Sequence, residues 1–276
     1  RMLELIETHR ATYITGSPAM WHAVATHPDA AVRDTDSVRV VSSGGGADRS
    51  RDTRGAGPGV PGRRAWSEGY GLTEGTCLVA SAPLTGSVAF KLGSVGLPVF
   101  DTEVQIRAQD DSGAVLEAGT RGKLWVRGPQ VTDGYLNHPE ITAQQYVDGW
   151  LDTGDIAYLD EDGYLFICDR TKDMLIYKGY NVYPRELEEI LVSHPDVSSA
   201  AVVGREAGSV GQEPVAFVVP MPDVTIDPDA VSAFVAERVL PYKKVRDVVV
   251  IEQLPTSAAG KILKTKLREQ LAAATT

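Results

Sequence analysis

Four short clusters of the sequence combine residue types that could act together on a phosphorylated nucleotide. They lie at residues 69–74, 153–155, 169–173 and 255–261. An aromatic ring can stack on a nucleobase, a hydroxyl can bind a phosphate, and a carboxylate can hold Mg²⁺ beside phosphate oxygens. A mobile lysine can neutralise the charge that grows during attack on an α-phosphate. The four clusters together therefore predict chemistry at the α-phosphate of a nucleotide.

Each cluster taken alone also has a plain structural interpretation. The Tyr70–Glu74 run is typical of a turn, and Thr153-Gly154-Asp155 is a common turn tripeptide. The charges of residues 169–173 suit a solvated loop. Lys261 is predicted at the start of a helix, where the dipole disfavours a cation, and this favours a functional role for it.

Composition narrows the class of protein. The chain has 276 residues, 43% of them hydrophobic and 23% charged, which is ordinary for a globular protein. A net charge of −10 argues against a dedicated nucleic-acid binder. Cys77 and Cys168 make neither a disulfide framework nor a metal cluster. No apolar run reaches the roughly 20 residues of a membrane span. We therefore expect a cytoplasmic protein, with peripheral membrane contact left open.

The elements that must position these clusters differ along the chain. Before residue 47 we expect two helices and two strands, at 1–9, 18–25, 12–15 and 38–41. Residues 47–64 hold five arginines and four glycines, which predicts loop or disorder. Strands are expected at 102–108 and 122–126, with a hairpin over 158–168. This pattern predicts an α/β fold with antiparallel β structure, in the form of a bent sheet or barrel.

Beyond Asp169 the pattern changes to that of a small α/β domain. A small β unit is expected over 174–182, followed by helices at 184–193, 229–240 and 261–271 and strands at 197–203, 214–219 and 245–251. Such a domain of about 100 residues is a common size. The sequence therefore predicts two domains, 1–170 and 171–276, joined at a charged hinge.

Three longer motifs carry a resemblance to a known family. They are GPQVTDGY at 128–135, GWLDTGD at 149–155 and DRTKDMLIYKGYNVYP at 169–184. Together with the Tyr70–Glu74 run, their order resembles the adenylate-forming superfamily of acyl-CoA synthetases, luciferases and peptide-synthetase adenylation domains. The resemblance covers nearly the whole chain except 47–64. It implies the C-terminal part of a large AMP-binding domain followed by a small mobile domain.

The resemblance also implies roles in nucleotide binding. Tyr70 would stack on adenine, with Gly44, Gly45 and Gly46 in the same wall and Gly71 beside it. Thr73 would contact the α-phosphate of ATP, and Glu74 would hold Mg²⁺. Asp155 and Arg170 would bind the ribose.

Further implied roles belong to the small domain. Lys172 would be its pivot. Lys261 would approach the acyl carboxylate and the α-phosphate during adenylation. After rotation, the Lys178-Gly179 strand would reach a pantetheine channel, where the CoA thiol attacks the acyl-adenylate.

The activity implied is that of an acid–CoA ligase with a fatty acid as the preferred substrate. Transfer to a carrier-protein thiol stays an alternative. A second alternative is an incomplete fragment that only binds a nucleotide or a partner, because the chain opens at Arg1 as if inside an element and lacks the family's phosphate loop. Seven basic residues at 242–268 suit polyphosphate ligands, or else a solvated surface: Lys243, Lys244, Arg246, Lys261, Lys264, Lys266 and Arg268.

Overall fold

A computed structural model describes residues 1–44, 66–83, 91–110, 112–257 and 261–274. The loop expected at 47–64 lies outside these residues. The chain divides into two units, Arg1–Ile167 and Cys168–Thr276. The boundary thus follows Ile167, whereas the sequence analysis put it after Arg170.

The first unit contains a mixed five-stranded sheet beside two helices. The strands, in sheet order, are β1 (Tyr13–Gly16), β2 (Val40–Gly44), β3 (Trp66–Tyr70), β4 (Ala80–Ser81) and β5 (Leu97–Pro98). β1, β2 and β3 pair in parallel, and β4 pairs antiparallel with both β3 and β5. Helices α1 (Met2–His9) and α2 (Pro18–Ala25) contribute Ile6 and Trp21 to a small core that includes Val41 of β2.

A second sheet of the first unit is antiparallel. It comprises β6 (Glu103–Arg107), β7 (Gly122–Arg127), β8 (Tyr146–Val147), β9 (Trp150–Leu159) and β10 (Leu165–Arg170), with α3 (Pro139–Gln145) before β8. Residues alternate along β7, so Leu124 and Val126 are buried against Ile106 and Leu165. The predicted combination of α/β and antiparallel structure is confirmed.

The second unit is built on a three-stranded sheet that is covered on both faces. Its elements are β11 (Leu175–Tyr177), β12 (Tyr180–Val182), α4 (Pro184–Leu191), β13 (Val197–Glu206), β14 (Gln212–Pro220), α5 (Pro228–Ala236), β15 (Asp247–Val250) and α6 (Lys264–Ala274). Val202 faces Leu187 of α4 and Val235 of α5, whereas Val203 faces Leu267 of α6. Both faces are buried at the centre of this sheet, and there residues 200–203 of β13 and 215–219 of β14 are continuously apolar.

Local signals place most helix starts in this unit. Pro184 and Pro228 occupy the first positions of their helices, where the missing N–H costs nothing, and the Asp227 side chain caps α5. The third helix differs from the prediction because α6 begins at Lys264. Lys261 precedes it, next to a β-bridge between Thr256 and Ile262. Across the described ranges, no helix is long and apolar enough to cross a membrane.

Candidate active site

Tyr70 and Asp155 lie 85 residues apart in sequence and form a direct hydrogen bond. The Tyr70 hydroxyl donates to Oδ2 of Asp155 at 2.5 Å. Tyr70 ends β3, and the Asp155 side chain projects from β9 with only 7% of the residue exposed. The structure therefore joins the first two candidate clusters at one place.

Asp155 stands in a bulge of β9. Between Asp152 and Ile156, β9 has three residues opposite the single Leu124 of β7. Gly154 has a positive φ of 72°, and the Asp152 carboxylate accepts its N–H at 2.9 Å. The Thr-Gly-Asp tripeptide is thus a bulge within a strand and not a chain-reversing turn. Bulges re-aim side chains, and this one directs Asp155 towards Tyr70.

The segment after Tyr70 folds tightly against its own hairpin. A Cβ on Gly71 would lie 1.4 Å from the Cys77 carbonyl oxygen, so no other residue fits without a backbone shift. The Leu72 carbonyl accepts hydrogen bonds from the N–H groups of both Gly75 and Cys77 at 3.1 Å. Between these contacts, a 3₁₀ turn over Thr73–Gly75 leaves Thr73 exposed. Gly71 is thereby the residue that lets this loop close.

Glu74 is held by a loop from the second sheet. The Tyr135 hydroxyl donates to Glu74 Oε1 at 2.6 Å, and the Thr132 N–H donates to the Glu74 carbonyl at 2.8 Å. Gln145 also contacts the Tyr135 hydroxyl. A phenol has one proton, so Gln145 must present its NH₂ group here once Tyr135 donates to Glu74. Glu74 Oε1, the Tyr135 hydroxyl and the Gln145 side chain then each have a partner.

Tyr135 is a site residue that sequence reasoning missed. Burial, and then the hydrogen bond to Glu74, raise the pKa of the Tyr135 phenol well above its usual value. The phenol is therefore a donor throughout the physiological range. Tyr135 stands in the GPQVTDGY motif, which carried the family resemblance, but nothing local in that motif points to Glu74.

The carboxylate of Glu74 fits a magnesium ion that arrives with a nucleotide. Its Oε2 has no hydrogen-bond partner within the described part of the chain. In those same ranges, no group of three or more His, Cys, Asp or Glu side chains could hold a metal by itself. One carboxylate plus phosphate oxygens is the donor set that Mg²⁺ commonly takes.

Of the three glycines predicted beside the adenine, Gly44 lies within the described residues. Gly44 ends β2 and pairs with Gly69 of β3, and a Cβ on Gly44 would lie 3.2 Å from the Gly69 carbonyl oxygen. Gly44 is therefore next to the strand that ends in Tyr70. Gly45 and Gly46 lie outside the described residues.

The charged segment 169–173 belongs to the second unit. The Asp169 carboxylate is buried and accepts the backbone N–H groups of Arg170 at 2.8 Å and Arg185 at 2.9 Å. Burial raises the pKa of this carboxyl above its ordinary value. Arg170 and Lys172 are exposed, whereas Asp173 pairs with Arg268 at 2.6 Å. The segment is thus partly anchored, not a uniformly solvated loop.

Lys178 and Gly179 form the two-residue turn between β11 and β12. Both have positive φ, 51° and 80°, as a tight hairpin of this kind requires. The Lys178 N–H donates to the Val210 carbonyl at 2.8 Å, and Tyr180 stacks on Tyr242 with ring centroids 4.6 Å apart. The turn is therefore supported on both sides, and the Lys178 side chain stays exposed.

Lys261 is exposed in the second unit, and its backbone is fixed. Its N–H donates to Ser257 Oγ at 3.2 Å, and its carbonyl accepts the Ser257 N–H at 2.8 Å. Three of the seven basic residues at 242–268 neutralise acidic partners, because Lys243 pairs with Glu186, Lys264 with Glu188, and Arg268 with Asp173. The basic cluster is thus less free for polyphosphate than its charge alone indicates.

The structure separates the predicted site residues into two groups. Gly44, Tyr70, Gly71, Thr73, Glu74 and Asp155 belong to the first unit. Arg170, Lys172, Lys178, Gly179 and Lys261 belong to the second. The first group supplies a short hydrogen-bonded set of aromatic, hydroxyl and carboxylate groups, and the second supplies exposed cations.

Family models match both units. Residues 1–136 match the AMP-binding enzyme family, and residues 186–261 match the AMP-binding enzyme C-terminal domain. The chain belongs to the AMP-binding, adenylate-forming enzyme family. Two curated members similar to it are 4-coumarate–CoA ligase 1 of Oryza sativa subsp. japonica and 4-coumarate–CoA ligase-like 6 of Arabidopsis thaliana.

The chain spans about half the length of the curated relatives it matches. It is 38% identical to the rice protein over 274 residues, which are 98% of the chain and 48% of that protein. Identity to the Arabidopsis protein is 45% over 206 residues, 74% of the chain and 36% of that protein.

Solved structures of this family are similar over nearly the whole chain. The amide bond synthetase McbA from Marinactinospora thermotolerans has a TM-score of 0.88 and 36% identity, covering 98% of the chain and 55% of McbA. The anthranilate CoA ligase AuaEII, in complex with anthranoyl-AMP, has a TM-score of 0.85 and 28% identity, covering 99% of the chain and 52% of that ligase.

Proposed function

We propose that this chain carries nucleotide- and acyl-handling residues of an ATP-dependent acid–CoA ligase. The observation that carries the proposal is the Tyr70–Asp155 hydrogen bond, which joins two motif clusters within a few residues of Glu74. Family membership supports it independently.

In the first half-reaction, a carboxylate oxygen of the acid attacks the α-phosphorus of ATP. A bond forms between that oxygen and phosphorus, the bond to the β-phosphate oxygen breaks, and pyrophosphate leaves. Tyr70 would stack on adenine beside Gly44, while Asp155 and Arg170 would bind the ribose hydroxyls. Thr73 would bind the α-phosphate, Glu74 would hold the nucleotide's magnesium, and Lys261 would stabilise the developing negative charge.

In the second half-reaction, the CoA thiol attacks the acyl carbon and AMP leaves. The sulfur–carbon bond forms, the bond between the acyl carbon and the AMP phosphate oxygen breaks, and the thiol proton is released to water, so the products are a thioester and AMP. Rotation about Lys172 would withdraw Lys261 and bring the turn at Lys178 and Gly179 to the pantetheine arm. Two half-reactions need two sets of residues, and one mobile unit can supply both.

An aryl acid is the substrate class that the comparisons favour over a fatty acid. Curated relatives bear the name 4-coumarate–CoA ligase, and a similar solved structure is an anthranilate CoA ligase. The fatty-acid expectation is not confirmed by any of these names. We therefore propose a hydroxycinnamic or benzoic acid as the first substrate to test.

A second candidate function concerns the acceptor. McbA is an amide bond synthetase and is 36% identical to this chain over 98% of it. An amine would attack the same acyl carbon, and the products would be an amide and AMP. A carrier-protein thiol is a third possible acceptor, and it requires no change in the adenylation residues.

ATP–pyrophosphate exchange tests the adenylation step. The wild-type chain, K261A and K266A would be assayed with hydroxycinnamic, benzoic and fatty acids. Lys266 is a matched control because it is exposed and lies on the same stretch of chain, in α6. We expect exchange with an aryl acid, a loss of at least about a hundredfold in K261A, and little change in K266A.

The acceptor is then identified by adding CoA, an amine or a carrier protein to the acid that responds. Thioester formation with CoA supports the ligase, and amide formation supports the second candidate. ATP binding without exchange for any acid would contradict the proposal and favour a chain that only binds nucleotide.

A further inference from the structure

The first two turns of helix α6 are tied to the segment 169–173 and to helix α4. Arg268 Nη2 donates to Asp173 Oδ1 at 2.6 Å. One helical turn earlier, Lys264 Nζ lies 2.8 Å from Glu188 Oε1. Residues four apart share a helix face, so both cations point from α6 towards the same side.

These ion pairs are better protected from solvent than ordinary surface pairs. The side chains of Lys264 and Glu188 are 15% and 17% exposed, and in the second pair Asp173 is 14% and Arg268 36% exposed. Glu188 Oε1 also accepts the Val202 N–H at 2.8 Å, which fixes the carboxylate on β13. Exposed pairs contribute little, whereas removal of one partner of a partly buried pair leaves the other charge poorly solvated and is destabilising.

The position of Lys264 at the start of α6 is electrostatically unfavourable. It is the first residue of α6, where the helix dipole disfavours a cation. On the adjoining part of the same side of the helix, Leu267 and Leu271 pack in one cluster with Val203 and Phe217, so apolar burial already holds the helix on the sheet. Apolar burial therefore accounts for the attachment of α6 to the sheet, and the two ion pairs add links from α6 to α4 and to segment 169–173.

Lys261 lies directly upstream of this anchored turn. The Leu263 N–H donates to the Pro255 carbonyl at 2.8 Å, and both backbone groups of Lys261 bond to Ser257. Pro255 and Ser257 are thus joined by hydrogen bonds to Leu263 and Lys261, directly before the helix that carries Arg268. Asp173 is thereby connected to Lys261 through Arg268 and the first turns of α6.

We propose that Arg268 and Lys264 are positioning residues that couple segment 169–173 to the adenylation lysine, Lys261. This inference rests on the function proposed above for Lys261. Movement of the second unit about Lys172 then carries Lys261 with it as one body, because Asp173 and α6 move together. Arg268 and Lys264 contact no reacting atom in this scheme.

The test compares R268M with R205M in the full chain. Arg205 is the control because it pairs with Asp247 at 2.9 Å and Glu213 at 3.4 Å in the same unit, and its side chain is 32% exposed against 36% for Arg268. Two half-reactions are measured: pyrophosphate exchange, and thioester formation from synthetic acyl-adenylate and CoA. Backbone hydrogen exchange is followed over residues 254–266. We expect R268M to slow adenylation by about tenfold to a hundredfold, with thioester formation within about threefold of wild type.

Hydrogen exchange gives a readout that needs no activity. We expect faster exchange over 254–266 in R268M and D173N, no such change in R205M, and recovery in R268K, since lysine can still reach Asp173. If the wild-type chain shows no adenylation, the proposed function is contradicted. The hydrogen-exchange comparison still tests whether Arg268 anchors residues 254–266. The proposal would be overturned if R268M left the hydrogen-exchange protection of residues 254–266 unchanged. It would also be overturned if R268M slowed both half-reactions equally and lost only as much stability as R205M.

Discussion

Individual side chains of the first unit are held in position by their neighbours. The Asp155 carboxylate accepts the Tyr70 hydroxyl, while its N–H donates to Thr153 Oγ1 at 3.2 Å. Glu74 is held in the same way by Tyr135. Groups that are already held in position need little rearrangement when a ligand binds. Such preorganised groups give the strongest electrostatic stabilisation of charge on the ligand.

The first prediction concerns Asp155. D155N keeps an oxygen that accepts from Tyr70, so the fold is preserved, but it loses the charged acceptor proposed for the ribose. A hydrogen bond to a charged group contributes about 1.5–3 kcal/mol, so kcat/KM for ATP should fall by roughly tenfold to a hundredfold. Steady-state kinetics in ATP measures this. An unchanged kcat/KM for ATP in D155N would contradict the ribose role.

A second residue-scale prediction concerns Tyr135. Y135F removes the donor to Glu74 Oε1 and leaves the carboxylate less well oriented, so adenylation should need about tenfold more Mg²⁺. Binding of Mn²⁺ with ATP, followed by electron paramagnetic resonance, checks the same site without turnover. The control is Y146F, which loses a 2.8 Å bond to Thr132 in the same loop but does not contact Glu74 through its hydroxyl. Equal metal dependence in the two variants would count against a role for Tyr135.

At the scale of elements, the site depends on irregular pieces of backbone. The loop after β3 closes on Cys77 through Gly71, and β9 bulges at Gly154 to present Asp155. The turn of Lys178 and Gly179 is tight because both residues adopt positive φ. In each case a regular strand or helix would aim the functional residue elsewhere.

The Gly71 loop yields a prediction for both stability and activity. In G71A the new methyl would overlap the Cys77 carbonyl, which forces the loop to shift and displaces Thr73 and Glu74. We expect a loss of about 1–3 kcal/mol in the free energy of unfolding and loss of pyrophosphate exchange. Thermal denaturation and the exchange assay measure the two effects.

G69A is the matched control for this change. Its Cβ would meet its nearest neighbours, in Ala80 and Leu78, at 3.4 Å, an ordinary contact distance. If G71A were as stable and active as G69A, the loop would have space for a methyl group at residue 71, and the prediction would be wrong.

At the scale of the whole molecule, each unit has a hydrophobic core of its own. The second unit buries Leu187, Val202 and Val235 around one face of its sheet, and Val203 and Leu267 around the other. The first unit has separate cores around Leu124 and around Trp21. Separate cores predict that the units lose structure separately.

L187A tests this independence. Leu187 is fully buried in α4, so its truncation should lower the stability of the second unit by about 2–5 kcal/mol. Hydrogen exchange should accelerate within 168–276 and stay unchanged within 1–167. L240A is the control, because Leu240 is 58% exposed in the same unit. Equal acceleration in both units would mean that the chain unfolds as one.

Local sequence patterns were sufficient for much of this protein. Helix starts at Pro18, Pro184 and Pro228, the hairpin around Gly163, and the small β unit containing Lys178 all depend on residues close in sequence. The family resemblance likewise rested on contiguous motifs. Backbone preferences and period-two or period-3.6 patterns act over a few residues, and so they can be read without a fold.

Contacts between distant residues were decided by the tertiary structure alone. Tyr135 meets Glu74 across 61 positions, Arg268 meets Asp173 across 95, and Asp155 stands in a bulge whose register depends on β7. Helix α6 begins at Lys264, beyond Lys261, after the bridge of Ile262 to Thr256. Each of these features is selected by burial and hydrogen bonding between separate elements, and those energies exist only once the elements have packed together.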